Sequence, residues 1–305
     1  ADERIVAVTA AMQQPVGLQP MADALPDRVI DVGIAEQHAL TASAGMAFAG
    51  LHPVVALYAT FLNRAFDQVL MDVGLHHAGV LDRAGLTGTD GASHNGMWDM
   101  ALLAHVPGLR LAAPRDETTL REDLRTAAAT SDGPTVLRYP KGALPERAPA
   151  LRVMGPPNDP FEAVDVLMEA DDDGPGERRL LLVAVGAMTP AVLAAGRDLA
   201  DEGRAVAVVA PRWVVPIPRA LVETARSFDG VVVVEDGLVD GGIGSQLRDA
   251  LEDNTAETGR RRPVVARVGV PRRFLGTASR KQLLADFGMD AEGIAATARR
   301  LLSAV

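Results

Sequence analysis

The chain contains no cysteine. That removes disulfides, thiolate metal sites and a cysteine nucleophile together. It also lacks an excess of positive charge: 30 Lys and Arg face 40 Asp and Glu, for a net charge of −10 at pH 7. Too few cations remain to neutralise phosphates, so nucleic acid is not an expected partner. No apolar run reaches membrane-spanning length, and no charged-then-apolar leader opens the chain. A soluble cytoplasmic protein without a membrane partner is the expectation. The first residues, Ala1-Asp2-Glu3-Arg4, include no initiator Met, which reads as a piece of something longer or a processed form. Histidine is absent after His105, and both tyrosines, Tyr58 and Tyr139, precede residue 150. Chemistry, if present, belongs mostly to the first half.

What is there supports a large core. At 305 residues and 48% hydrophobic content, two domains of ordinary size are possible and global disorder is excluded. Strand-like runs at 5–9, 29–32, 53–58, 79–82, 109–112 and 135–139 alternate with helical patterns at 18–25, 35–49, 59–76, 97–104 and 117–129. Such alternation predicts an α/β fold with a mostly parallel, doubly wound sheet over residues 1–143. Residues 144–162 are rich in Pro and Ala and read as a linker. A second, smaller α/β domain with a mixed sheet is expected over 163–305. Its strands fall at 164–168, 180–185, 205–209, 230–235 and 264–268, with an acidic hairpin at 171–174 and helices at 190–202, 219–226, 245–254, 279–287 and 290–302.

The stretch Asp31-Val32-Gly33-Ile34-Ala35-Glu36-Gln37-His38-Ala39 organises the first domain. It leaves a strand, turns at Gly33 and enters a helix of small apolar residues, expected to be buried on several sides. Glu36 then stands at the first helical turn. Either it faces solvent, stabilised by the helix dipole, or it is buried with a partner or for a purpose, since an unpaired buried carboxylate is costly.

The densest polar stretch is 82–96, which follows a strand where parallel sheets place ligands. Asp90 and His94 there could act as acid, base or hydrogen-bond donor, or the loop could be an ordinary glycine turn. Asp90, Asn95 and Asp99 fit no metal-ligand spacing, so no metal ligand is assigned to this chain. Tyr58, Arg83 and Arg138 lie at strand ends that converge on one sheet edge, where arginine forks suit an anion; surface ion pairing is the other reading. Gly241-Gly242-Ile243-Gly244-Ser245 could hold a phosphate at a helix N-terminus, but a tight strand-to-helix turn is preferred because no P-loop lysine follows.

Four motifs carry a resemblance. Residues 31–39, Tyr58-Ala59-Thr60-Phe61-Leu62-Asn63-Arg64-Ala65-Phe66-Asp67-Gln68, the loop 82–96 and Leu137-Arg138-Tyr139-Pro140-Lys141-Gly142 resemble the 1-deoxy-D-xylulose-5-phosphate synthases of the transketolase superfamily. Pro211-Arg212-Trp213-Val214, Glu235-Asp236-Gly237 and Pro271-Arg272-Arg273-Phe274-Leu275 look like that family's C-terminal domain. The resemblance covers nearly all of the chain but only the last two of the family's three domains. It implies a pyrimidine-binding domain, a transketolase C-terminal-like domain, and thiamine diphosphate as cofactor. It further implies pyruvate and glyceraldehyde 3-phosphate as substrates. On it, Glu36 bonds the aminopyrimidine ring nitrogen, Phe61 stacks on that ring, Arg64 tunes Glu36, and Met12 and Ile34 form apolar pocket wall. Asp90 and His94 line the donor and acceptor site, and Tyr58, Arg83 and Arg138 hold the aldehyde's phosphate. The family's Gly-Asp-Gly and Asn motif for Mg2+ and diphosphate is missing. An N-terminal diphosphate-binding domain or subunit is therefore the expected partner, in a homo- or hetero-oligomer, and the lone chain is expected to be inactive. The run 78–82 is about three residues shorter than the family's, which puts the position of Arg83 in question. A split transketolase-like enzyme with another donor or acceptor, and a non-catalytic pairing module, are the alternatives.

Overall fold

The computed structural model describes residues 2–75, 80–143, 145–170, 178–253 and 262–304. The first part of the chain runs β1 (Ile5–Thr9), α1 (Gln19–Ala24), β2 (Val29–Asp31), α2 (Glu36–Phe48), β3 (His52–Tyr58), α3 (Ala59–Leu62), α4 (Phe66–Gln68), β4 (Val80–Arg83), α5 (Asp99–Leu103), β5 (Arg110–Ala112), α6 (Glu117–Ala129) and β6 (Thr135–Tyr139). There follow β7 (Arg152–Met154), β8 (Val164–Met168), β9 (Leu180–Ala184), α7 (Thr189–Asp201), β10 (Val206–Pro211), β11 (Trp213–Val215), α8 (Arg219–Ala225), β12 (Gly230–Leu238), α9 (Ile243–Asp253), β13 (Val264–Val270), α10 (Arg280–Asp286) and α11 (Ala291–Ala304).

Unbroken apolar runs take the sheet centres. Every residue of β9, Leu-Leu-Leu-Val-Ala, is buried, as a parallel strand covered on both faces requires. The first sheet is ordered β11-β5-β6-β4-β3-β1-β2 and the second β13-β12-β9-β10-β8-β7. All pairs in the first sheet are parallel except β11 on β5. In the second, β8 and β7 run antiparallel to their neighbours, giving the mixed sheet expected there.

Three features differ from the sequence expectation. The strand β11, from the second half of the chain, forms the edge of the first sheet. Its Trp213 is buried, packing edge-on against Phe161 at 4.8 Å, and Arg110 covers the other ring at 4.3 Å. Burying so large a ring in the sheet edge hooks the two domains together. The linker is not free chain either: Arg152–Met154 pairs with β8, and Ala148 is bonded at both its N–H and C=O to Asp116 and Arg115 at 3.0 and 2.9 Å. The long helix expected over 59–76 is broken into α3, a 3₁₀ turn, α4 and a π-helical turn at Val69–Gly74. The hairpin 171–174 and residues 76–79 lie outside the described residues.

Candidate active site

Asp31 shapes the entry to α2. Its Oδ1 accepts from the N–H of Gly33 at 2.9 Å and of Ala11 at 2.7 Å, tying the ends of β1 and β2 together. Gly33 has φ +71°, left-handed backbone that a side chain would strain. The turn delivers α2 with Glu36, Ala39, Leu40, Ser43 and Ala44 as its buried residues, a single stripe of helical period. The helix was expected to be buried on several sides; here only this stripe is covered, while Gln37, His38, Thr41, Gly45 and Phe48 stay exposed. Small residues permit close packing, and among the described residues the exposed side is touched at Thr41, which donates to Asp72 at 2.5 Å.

Glu36 heads the buried stripe and is 2% exposed, which rules out the solvent-facing reading. Its Oε2 lies 3.3 Å from Nη1 of Arg64, whose side chain is 52% exposed. Among the described residues no hydrogen bond reaches Oε1. A buried carboxylate with a single, long, half-solvated partner has unspent acceptor capacity, and the helix dipole favours its charge.

Around Arg64 lies a small aromatic group. Tyr58 caps β3 and stacks on Phe61, with ring centres 5.7 Å apart, and His94 meets Phe61 edge-on at 5.2 Å and Tyr58 at 6.3 Å. The loop 85–96 brings His94 there because its ends are zipped by a Gly85–Gly96 pair of hydrogen bonds at 2.8 and 2.9 Å. Inside it, the buried Asn95 accepts from the Thr87 N–H at 2.9 Å and donates to the Gly91 carbonyl at 3.1 Å. Asn95 is thus a loop staple, and among the described residues no group of three acids or histidines could hold a metal. Asp90 pairs with Lys141, which fastens the loop to the segment after β6. His94 accepts or donates at Nδ1 with Ser93 Oγ at 3.0 Å.

The other expected residues are placed as follows. Met12 is buried in the core of the first domain, and Ile34 is 78% exposed. Register pairs Tyr58 with Arg83, and Arg83 with Tyr139, so the strand ends do meet in one row. The side chain of Arg83 lies outside the described residues. The short β4 keeps register with both β3 and β6.

Arg138 departs from the anion cradle expected of it. Residues alternate along a strand, and Arg138 points opposite to Tyr139, into the contact between domains. There it is 4% exposed, with Nε 2.7 Å from Asp99 Oδ2 and Nη1 2.5 Å from Asp236 Oδ1. Arg280 completes the network, donating to Asp236 Oδ2 at 2.9 Å and to the Leu86 carbonyl at 2.7 Å. Burial would discharge Arg138, but Asp99 and Asp236 outweigh it and hold the charge. Burial also opposes charge on Asp236, yet Arg138 and Arg280 hold its carboxyl well below the usual range. Burial wins at Asp99, which has one arginine only, and pushes it up. Gly85 makes room for this: with φ +85°, a Cβ there would stand 2.2 Å from Asp236 Oδ2.

The glycine turn of the second domain proves to be filled. Glu235 accepts from the Ile243 N–H at 2.8 Å and the Gly244 N–H at 2.9 Å, one per carboxylate oxygen. A Cβ on Gly242 would lie 2.3 Å from Glu235 Oε2, so the glycine is needed for the carboxylate to enter. Burial pushes Glu235 up to about 7 against the pull of those two N–H groups. No open phosphate loop exists here. Asp236, Arg280 and Lys141 carry no role in the sequence reading, and Asp99 only that of a rejected metal ligand; Glu235-Asp236-Gly237 is visible as a motif, but its partners are distant in the chain.

Two sheets hooked by β11, a buried first-turn glutamate and an aromatic group at the strand ends define a transketolase-type pair of domains. The chain belongs to the transketolase superfamily: residues 1–147 match the transketolase pyrimidine binding domain and 170–294 the transketolase C-terminal domain. Within it, the chain is 54% identical over 303 residues to the 1-deoxy-D-xylulose-5-phosphate synthase of Kocuria rhizophila, covering 97% of this chain and 44% of that protein. To 1-deoxy-D-xylulose-5-phosphate synthase 1 of Kitasatospora griseola it is 53% identical over 305 residues, covering 98% and 44%. It spans less than half the length of these relatives. Among solved structures, a split gene transketolase described as an inactive beta4 tetramer superposes with TM-score 0.83 at 27% identity, covering 99% of this chain and 93% of that one. Transketolase from Leishmania mexicana shares the fold, with TM-score 0.78 at 20% identity over 99% and 43% of the two chains. No helix among the described residues is long and apolar enough to cross a membrane.

Proposed function

We propose that this chain is the pyrimidine-side and C-terminal portion of a thiamine-diphosphate-dependent 1-deoxy-D-xylulose-5-phosphate synthase, joining a two-carbon unit from pyruvate to glyceraldehyde 3-phosphate. The observation that carries the reading is Glu36, buried at a helix start with Arg64 on one oxygen and no hydrogen bond to the other among the described residues. That is the donor set an aminopyrimidine asks for: a carboxylate to hold the proton at its ring nitrogen and a flat apolar face to lie on. Thiamine diphosphate, bound there, supplies the nucleophilic carbon that carries the two-carbon unit. Glu36 holds the ring-nitrogen proton, Arg64 fixes the surroundings of Glu36 from 3.3 Å, and Phe61 orients the ring. His94 and Asp90 border the space where donor and acceptor meet. Tyr58 and Arg83 are assigned to the acceptor's phosphate. Arg138 acts indirectly, holding the loop 85–96 in place through Asp236 and Arg280.

The diphosphate and its Mg2+ do not fit the described residues, which offer no acidic cluster. Their ligands are assigned to an N-terminal diphosphate-binding domain or subunit. Exposed Ile34 and the uncovered face of α2 are the surface it would pack on. The test is reconstitution. The purified chain should form no 1-deoxy-D-xylulose 5-phosphate from pyruvate and glyceraldehyde 3-phosphate; adding the diphosphate-binding portion of a relative should restore it. Turnover by the lone chain would overturn the reading. A second reading, the C-terminal subunit of a split transketolase-like enzyme with another donor or acceptor, draws support from the split gene transketolase of matching length. A screen of ketose and aldehyde pairs on the reconstituted protein separates the two.

A further inference from the structure

A cavity of about 630 Å³ lies away from Glu36, between the linker and the second domain. That volume is within the roughly 300–1,000 Å³ of small-molecule sites. One wall is the face of α7 that carries Pro190, Leu193 and Arg197, spaced i, i+3 and i+7. The opposite lining is the linker segment 145–149, including Arg147, with Arg115 and Leu167 between them. This wall is built rather than draped: Asp116 accepts from the Ala148 N–H at 3.0 Å, and Arg115 Nε donates to the Ala148 carbonyl at 2.9 Å.

The charges lining the cavity are one-sided. Arg115 is 6% exposed and pairs through Nη1 with Asp165, while its Nη2 makes no hydrogen bond among the described residues. Arg147 and Arg197 are exposed and have no ion pair or hydrogen bond among the described residues. Glu146 is the one acidic residue in the lining. With Arg115 balanced by Asp165, two arginines stand against one glutamate, in a chain whose net charge is −10. The remaining lining is Leu, Pro and Ala with one hydroxyl, Thr189. Unpaired arginines around an apolar slot select an anion joined to an apolar group. Two forks from separate elements favour phosphate over carboxylate, because phosphate offers three terminal oxygens where one fork already saturates a carboxylate.

We propose that this cavity is a binding site for a small organic phosphate bearing an apolar group, separate from the site at Glu36. Its ligand touches the linker and the second domain at once, beside the Arg115–Asp165 ion pair that joins the two domains. Occupancy therefore raises the stability of the whole chain by mass action.

The test is calorimetric titration of the intact chain with phenyl phosphate, alongside a thermal melt. Saturable binding and a higher melting temperature are expected, with phenol inert and inorganic phosphate and benzoate weaker. Arg197→Ala should weaken binding about tenfold or more, and Arg147→Ala with it should abolish saturation; Glu146→Gln should tighten binding. Both arginines are exposed and unpaired, so these variants should melt as the unmodified chain does without ligand. Absence of saturable binding would overturn the proposal. So would equal affinity for benzoate, unchanged affinity in both arginine variants, or loss in Tyr58→Phe with retention in Arg197→Ala, which would put the probe at the other site.

Discussion

Two glutamates, one in each domain, are buried against the start of a helix. Glu36 is 2% exposed and Glu235 is 1% exposed, so burial does not tell them apart. Their partners do. Glu235 spends both oxygens on the N–H groups of Ile243 and Gly244, sealed in by Gly242. It caps the helix and leaves nothing over. Glu36 has one contact at 3.3 Å to an arginine half in solvent. A carboxylate that is hidden and not satisfied is the one to suspect of waiting for a ligand. The same distinction separates Arg138, sealed between two aspartates, from Arg147 and Arg197, which have no partners among the described residues.

The largest expected effect on stability is at the sealed network. Arg138→Ala leaves Asp99 buried with no arginine and Asp236 with Arg280 alone, and breaking such a pair costs about 3–5 kcal/mol. Chemical denaturation should show it. A loss below about 1 kcal/mol would mean that the aspartates are relieved by water and that the network is not sealed.

The pH dependence of stability sharpens the contrast at Glu235. Its folded pKa of about 7 lies above the ordinary 4.5, so the folded state binds the proton more tightly. The stability this contributes is full below pH 4.5 and is lost as pH rises through 7, by at most about 3 kcal/mol. Asp123, pushed up to about 6 by burial against Arg212, acts in the same sense at lower pH. Glu235→Gln removes the Glu235 part alone. It should cost about 1 kcal/mol at pH 5.5, where one N–H loses its acceptor, and become equal to or more stable than the unmodified chain at pH 8. Parallel stability curves for the two proteins would contradict the assignment.

The smallest stability effect is expected at Arg64. Arg64→Ala breaks a long ion pair with a half-exposed partner, worth below about 1 kcal/mol. If the melting temperature falls by much more than that, Glu36 depends on Arg64 structurally and the contrast with Glu235 narrows.

Much of the fold was legible in the sequence because local patterns decided it. Apolar runs at 5–9, 135–139 and 180–184 became central strands, and the prolines of 145–160 marked the passage between domains. What was not legible depends on partners far along the chain. Trp213–Val215 is three residues between two prolines, and only the edge of β5 makes it a strand. The π-helical turn at 69–74 has the same apolar content as an α-helix. At the candidate site, Glu36 stood out as an acid opening a helix of small apolar residues, while Phe61 and Arg64 were singled out only through the family resemblance of 58–68. Arg138 was expected to hold an anion because the strand end, but not the direction of its side chain, could be read. Its partners Asp99 and Asp236 are 39 and 98 residues away.

The central claim is that Glu36, and not Glu235, holds a proton of the bound cofactor. The direct measurement is the rate of the first turnover of pyruvate, read as CO2 release, by Glu36→Gln and Glu235→Gln with the diphosphate-binding portion supplied. General acid–base help is worth ~10²–10⁴ in rate, so Glu36→Gln should fall by that factor while its melting temperature holds. Glu235→Gln should keep its rate near that of the unmodified chain at pH 7. A Glu36→Gln protein that releases CO2 at the normal rate would contradict the account.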